Sequence, residues 1–219
     1  MEIKVIKNIL GENDRIAAEN QAMFQDKKVF VLNFMGSPGA GKTSVLEKTM
    51  ERLKDKIRMA VIEGDLFTSK DAERIDKYGV PVIQINTAGG CHLDANMVQK
   101  TVKEMNLDEL DLLVVENVGN LVCPAEFPVG EDARAVVLSV TEGDDKPLKY
   151  PLMFKESEIA LLNKVDLAPY CNFNMDSAKK DITSLHPGIE VLEVSCTKGQ
   201  GIDEWCDWLL KKIAAKKGQ

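Results

Sequence analysis

The chain has no apolar run approaching the roughly 18 residues that cross a bilayer, no excess of basic charge, and no cysteine pattern of a disulfide framework. Each absence excludes something. Met1-Glu2-Ile3-Lys4 lacks the basic-then-apolar start of a secretory signal, so a cytoplasmic protein is expected and a membrane partner is not. Lys and Arg number 28 against 35 Asp and Glu, a net charge of −7, which argues against nucleic acid as a partner. The one basic cluster, Lys211, Lys212, Lys216 and Lys217, closes an amphipathic segment, where cations favour a helix C-terminus. The five cysteines (Cys91, Cys123, Cys171, Cys196 and Cys206) are odd in number and widely spaced in a 219-residue chain. A chain of that size folds without covalent staples. Each thiol is therefore a core side chain, a reactive group or a metal ligand.

What is present is an alternation. Short β-branched or leucine-rich runs at 29–35, 58–63, 80–86, 112–116, 135–141, 159–164 and 190–195 are continuously apolar, as strands buried on both faces are. Between them lie segments of helical period. Leu46, Met50, Leu53 and Ile57 recur at spacings of four, three and four within 44–56, and Leu93, Met97, Val98, Val102 and Met105 share another face. Ile202, Trp205, Cys206, Leu209, Leu210 and Ile213 form the clearest stripe, which makes Trp205 and Cys206 core residues. The pattern predicts an α/β fold, a mostly parallel sheet of about seven strands with helices on both faces. Ahead of it, 13–24 reads as an amphipathic helix packing on the domain or on a partner. Residues 117–131, and the polar stretch 141–154 with Pro147 and Pro151, read as long loops, which in compact domains are often functional.

The first strand runs into Gly36-Ser37-Pro38-Gly39-Ala40-Gly41-Lys42-Thr43-Ser44, the GxxxxGK[ST] pattern, and a helical segment follows. Its glycines let the backbone approach phosphate oxygens; the amides form an anion nest and the following helix adds its positive end. Lys42 suits the β- and γ-phosphates, and the Thr43 hydroxyl suits Mg2+. The domain is thus a P-loop nucleotide-binding unit spanning 29–219, with 1–28 as the N-terminal helical segment.

Asn163-Lys164-Val165-Asp166 closes the sixth run. A carboxylate there accepts two hydrogen bonds from the ring N–H and exocyclic amine of guanine, a donor pair that adenine lacks, so the expected ligands are GTP and GDP. Asn163 is placed to brace the phosphate loop and the Lys164 stem to lie over the base. Ser195-Cys196-Thr197 follows the last strand as a second base-edge loop. Two acids end strands where ligands of open α/β sheets bind. Glu116, with Gly119 three residues on, fits a metal-sensing element and γ-phosphate hinge. Asp65 is in reach of magnesium or of the attacking water. Lys42, Asp65 and Glu116 are the catalytic candidates. With no glutamine or arginine evident as a hydrolytic partner, slow GTP hydrolysis is expected.

Gly89-Gly90-Cys91-His92 opens the fourth helical segment, and Cys123 lies four residues past Gly119. Thiolate and imidazole together suit zinc, nickel or copper. Three ligands leave a position open or are completed by a second chain, which fits transient rather than structural binding. A ligand on the loop that responds to the γ-phosphate links metal affinity to nucleotide state.

Taken together, Asn8-Ile9-Leu10, Asn13-Asp14, Ala17 and Asn20, the GSPGAGKT loop, Glu63-Gly64-Asp65, Gly90-Cys91-His92, Glu116 to Pro124 and Asn163 to Asp166 make the chain similar, over nearly its whole length, to the HypB family of GTPase accessory proteins for [NiFe]-hydrogenase. The resemblance implies a metallochaperone of the same broad class as UreG that is a homodimer when GTP-bound. It implies Ni2+ or Zn2+ on Cys91, His92 and Cys123 near the dimer interface, a HypA-type nickel chaperone as partner, and the hydrogenase large subunit as client, reached directly or through that partner. The chain departs from some members. It has no cysteine before Cys91 and two histidines in all, so high-affinity nickel storage is not implied. Ser37 stands where related dimerising ATPases carry a second lysine. The alternatives are an accessory GTPase for urease or a cobalamin enzyme, and a GTP-dependent scaffold whose thiols have no metal role. UreG-like proteins place a proline between the cysteine and histidine that are adjacent here.

Overall fold

The computed structural model describes residues 9–66 and 69–218; Asn8 lies outside them. A helix, α1 (Ile9–Asp26), precedes β1 (Phe30–Gly36), α2 (Lys42–Leu53), β2 (Met59–Asp65), α3 (Lys70–Asp76), β3 (Val82–Asn86), α4 (Ala95–Thr101) and β4 (Leu112–Glu116). Then come α5 (Cys123–Glu126), β5 (Ala133–Ser139), α6 (Lys146–Lys149), α7 (Pro151–Lys155), β6 (Ile159–Asn163), α8 (Met175–Leu185), β7 (Glu190–Val194) and α9 (Ile202–Lys217). The seven strands make one sheet in the order β3-β2-β4-β1-β5-β6-β7, and every pairing is parallel. A parallel sheet needs crossover connections, and the helices that supply them cover both faces.

Alternate side chains of each strand feed separate cores. On β1, Phe30, Leu32 and Phe34 pack with Leu46, Met50 and Leu53 of α2 and with Trp205, Leu209 and Ile213 of α9. Val31, on the opposite face, packs with Phe24 of α1 and Val98 of α4. Met35, Val136 and Leu162 meet Phe154 of α7 and Ile182 of α8. Trp205 is fully buried, stacks between Phe34 and Trp208, and donates its indole N–H to Thr49 Oγ1 at 2.9 Å, so its one polar atom is satisfied.

Three stretches differ from the sequence-based expectation, the first being 117–131, read as a loop, which holds the one-turn helix α5 with Pro124 in its first turn. Residues 141–154 are not a loop: a 3-10 turn (Val140–Glu142), α6 and α7 occupy them. Pro147 and Pro151 sit in the first turns of α6 and α7, where the missing N–H has no intrahelical partner to lose. The fourth helical segment is α-helical only to Thr101 and continues as a 3-10 turn.

The terminal lysines of α9 are structural. Lys212, Lys216 and Lys217 pair with Glu158, Asp132 and Asp111, the residues immediately before β6, β5 and β4. The end of the sheet away from the phosphate loop is thereby tied to one helix. Asp111 also accepts from the Arg58 main-chain N–H at 2.7 Å and from its guanidinium at 2.9 Å. Burial raises the Asp111 carboxyl, but the bonds from Arg58 and Lys217 outweigh it and hold the group below its ordinary range. Such a carboxylate stabilises the fold above its unfolded pKa, about 3.9, and the contribution is lost as pH falls through the lower folded value. Asp111→Asn should therefore cost about 2 kcal/mol by urea unfolding at pH 7. The gap to wild type should shrink below about pH 4; a gap that stays constant across that range would contradict the assignment.

Candidate nucleotide and metal site

The site lies at the C-terminal ends of β1, β2, β4, β6 and β7, where an open parallel sheet leaves its crevice. Between β1 and α2, Gly36 to Thr43 forms a loop closed by the first turn of α2. Gly41 has φ +100°, and a Cβ there would stand 2.3 Å from Asn163 Nδ2, so only glycine lets Asn163 approach. That amide donates to Ala40 O at 2.8 Å, and Lys164 Nζ reaches Gly39 O at 2.7 Å. The end of β6 thus braces the loop from one side. Lys42 lies back over it, its Nζ 3.4 Å from Gly36 O. Ser37 donates its hydroxyl to Glu142, whose other oxygen accepts the Ser139 N–H at 2.9 Å. The loop borders a cleft of about 390 Å³, room for a phosphate chain.

On the cleft floor, Thr43 Oγ1 donates to Glu116 Oε1 at 2.8 Å. Parallel register sets Glu116 of β4 beside Glu63 of β2, and both are almost fully buried. Burial drives Glu63 upward and the neighbouring Glu116 charge adds to it; burial likewise raises Glu116, against the pull of Lys42. Two carboxylates so placed resist ionising together when no cation lies between them. Glu63 Oε2 and Glu116 Oε2 are buried without a hydrogen-bond partner, a costly arrangement for an apoprotein. These oxygens and the Thr43 hydroxyl are hard donors and fit Mg2+. Asp65 lines the mouth of the cleft, as do Asp71 and Arg74 of α3. The Arg74 guanidinium is held by Glu47, Asp71 and Ser44 Oγ at 2.6, 2.8 and 3.0 Å.

On the base side, Lys164 takes a left-handed conformation, φ +61°, that turns the chain out of β6 into a 3-10 turn, Val165–Tyr170. Asp166 Oδ1 accepts from the buried Ser195 hydroxyl at 2.5 Å, so the loop after β7 orients the carboxylate. Cys196 is half-buried with Sγ 3.8 Å from Asn163 Oδ1, and burial pushes its thiol up to about 11. Thr197 is exposed on the same loop.

Cys91, His92 and Cys123 converge although 32 residues separate the thiols: Sγ to Sγ is 2.9 Å, and Cys91 Sγ to His92 Nδ1 is 3.5 Å. The three donor atoms lie within 4.8 Å of one another. His92 stacks on Phe127 with centroids 3.9 Å apart. Burial lowers its pKa against Asp94 and Glu126, which favours the neutral, ligating form. Cys91 is exposed. Two sulfurs and an imidazole fit a soft or borderline ion.

The segment after β4 joins the two halves. The Asn120 N–H bonds Gly36 O at 3.0 Å and its side-chain amide bonds Cys91 O at 3.3 Å. Gly119 lies against the phosphate loop; a Cβ would stand 2.8 Å from Pro38 N and 2.9 Å from its Cα. The buried Asn117 Oδ1 accepts from Leu93 N at 2.9 Å, and its amide donates to Asn33 at 3.1 Å.

The structure brings together the residues singled out from the sequence and adds others. Glu63 stands within a quoted motif without an assigned role; its signal was an acid interrupting an apolar strand two positions before the end. Asp71 and Arg74 carried no signal, because α3 has no stripe of its own. Glu142 lay in the stretch read as loop.

The family described as CobW/HypB/UreG, nucleotide-binding domain, matches residues 30–193. Hydrogenase maturation factor HypB of Escherichia coli K12 is 49% identical over 209 residues, covering 95% of this chain and 71% of that protein. The crystal structure of HypB from Helicobacter pylori in complex with nickel superposes with a TM-score of 0.88 at 38% identity, covering 94% of this chain and 96% of that one. HypB from Archaeoglobus fulgidus gives 0.87 at 36% identity, with coverage of 92% and 98%. The chain belongs to the CobW/HypB/UreG family of nucleotide-binding proteins, within its HypB group of hydrogenase maturation factors.

Proposed function

We propose that the chain is a GTP-hydrolysing metallochaperone that binds nickel, or zinc on the same ligands, and helps insert nickel into [NiFe]-hydrogenase. Metal affinity follows nucleotide state and dimerisation. The observation that supports this reading best is the Gly119–Asn120 segment, in contact with the phosphate loop on one side and with Cys91 on the other.

In this reading the amides of Gly36 to Ser44 and Lys42 hold the phosphates, and Asp166, with Asn163, Lys164 and the Ser195–Thr197 loop, reads guanine. Thr43 and Glu116, with Glu63 or Asp65 beside them, hold Mg2+, which supplies charge neutralisation at the phosphates when bound. Asp65, at the cleft mouth, orients the attacking water. Lys42 and Glu116 complete the catalytic set, and turnover is slow because Arg74 is engaged by Glu47 and Asp71 rather than free to reach phosphate. A γ-phosphate pressing on Gly119 moves Asn120 and so the Cys91 carbonyl. The ion is cargo, and a three-donor cage releases it more readily than a closed four-ligand site. A second copy of the chain, a HypA-type chaperone and the hydrogenase large subunit are the partners. The protein works in the cytoplasm; among the described residues no helix is long and apolar enough to cross a membrane. The adjacency of Cys91 and His92 favours hydrogenase over urease as the client.

Two tests bear on the two ends of the site. In equilibrium dialysis Cys91→Ala and Cys123→Ala should each abolish most Ni2+ and Zn2+ binding and leave GTP affinity, measured without Ni2+ or Zn2+, within about twofold, an allowance well below the loss expected for one charge-assisted bond. Undiminished metal binding in both would reject the ligand set. Asp166→Asn should weaken GTP by roughly 10- to 100-fold and improve xanthosine triphosphate, because the amide reverses one donor–acceptor pair. Unchanged preference for GTP would reject the base assignment.

A further inference from the structure

Asn13 and Asn20, both in the quoted N-terminal motif, play no part in the reading above, yet both are buried. Asn13 Oδ1 accepts the Ala95 N–H at 2.9 Å, and its amide donates to Pro128 O at 2.8 Å. One turn-pair along α1, the Asn20 amide donates to Ala95 O at 2.8 Å and to Val129 O at 3.0 Å. Each asparagine therefore bridges the same two segments.

Those segments carry the metal ligands. Ala95 lies three residues after His92 at the start of α4. Pro128 and Val129 lie just past α5, which begins at Cys123, and past Phe127, which stacks on His92. Gly130 completes the contact: it has φ +97°, and a Cβ there would stand 2.6 Å from Asn20 Cβ and 2.7 Å from Ala17 O. The loop is pressed onto α1 as closely as backbone allows.

We propose that α1 is a clamp on the metal cage. By tying Ala95 to Pro128 and Val129, Asn13 and Asn20 fix the separation of the Cys91–His92 loop from the Cys123 loop, and so set how tightly the cage holds its ion. They are positioning residues that touch no metal. Groups that orient ligands from behind change metal affinity about 10- to 100-fold when removed. A force on α1 would then open the cage from the side away from the phosphate loop, without direct contact with the nucleotide. The inference rests on the reading of Cys91, His92 and Cys123 as ligands.

The test is a chelator competition on the full chain, giving Zn2+ and Ni2+ affinity and release rate, with the melting temperature measured alongside. Asn13→Asp keeps the acceptor for Ala95 but removes the donor to Pro128. Asn20→Leu removes both of its bonds without adding charge, and Gly130→Ala wedges the loop from the helix. Ile213→Val, on the buried face of α9, serves as the control for general destabilisation. The clamp predicts 10- to 100-fold weaker binding and faster release in the three variants, and wild-type values for Ile213→Val. Variants that melt earlier yet hold metal as wild type does would show α1 to be packing alone and overturn the proposal. Asn13→Asp, similar in size to the native side chain, carries the test should Asn20→Leu fail to fold. Equal metal binding by wild type, Cys91→Ala and Cys123→Ala would remove the ligand reading, and the clamp with it.

Discussion

The arrangement of this molecule turns on one asparagine. Asn120 leaves the sheet just past β4, gives its main-chain N–H to Gly36 at the root of the phosphate loop, and spends its side-chain amide on the carbonyl of Cys91. Gly119 makes this possible, since any side chain there would run into Pro38. In the proposed function a displacement at the phosphate loop is passed along these contacts to the backbone of Cys91, because close-packed protein does not deform continuously.

Around that joint, each half is held by elements that do not depend on the other. Asn163 and Lys164 brace the phosphate loop from β6. The loops that carry Cys91, His92 and Cys123 are backed by α1, α4 and the His92–Phe127 stack. The far end of the sheet is tied down by the lysines of α9. The rigid parts thus lie below and behind the site, and the joint lies between its two chemistries. The buried pair Glu63 and Glu116 is the other concentration of unfavourable energy. Two acids with unpartnered oxygens on a cleft floor persist because the strands on which they stand are fixed by their neighbours, and a divalent cation held there would relieve both.

The sheet was legible in the sequence because strands buried on both faces declare themselves as apolar runs; all seven appear within about two residues of their predicted positions. The phosphate loop and the Asn163 to Asp166 loop were legible because backbone geometry and base-edge chemistry each demand specific residue types. The helices between Val140 and Lys155 were not, because proline reads as a breaker until its position in the first turn is known. Glu63 was missed as a partner of Glu116 because register between β2 and β4 is a tertiary fact. The bridging by Asn13 and Asn20 was invisible for the same reason: an asparagine on a helix gives no hint of carbonyls 75 to 115 residues away.

The coupling between the two chemistries is what distinguishes a switch from two sites on one scaffold. By linkage, a nucleotide that alters metal affinity must itself be bound more or less tightly when metal is present. The direct measurement is Ni2+ and Zn2+ affinity of the same preparation saturated with GDP and with a non-hydrolysable GTP analogue, with molecular mass followed in parallel. The account predicts a difference of about tenfold or more, or about 1.4 kcal/mol. Equal affinities in both nucleotide states, for both ions, would contradict it.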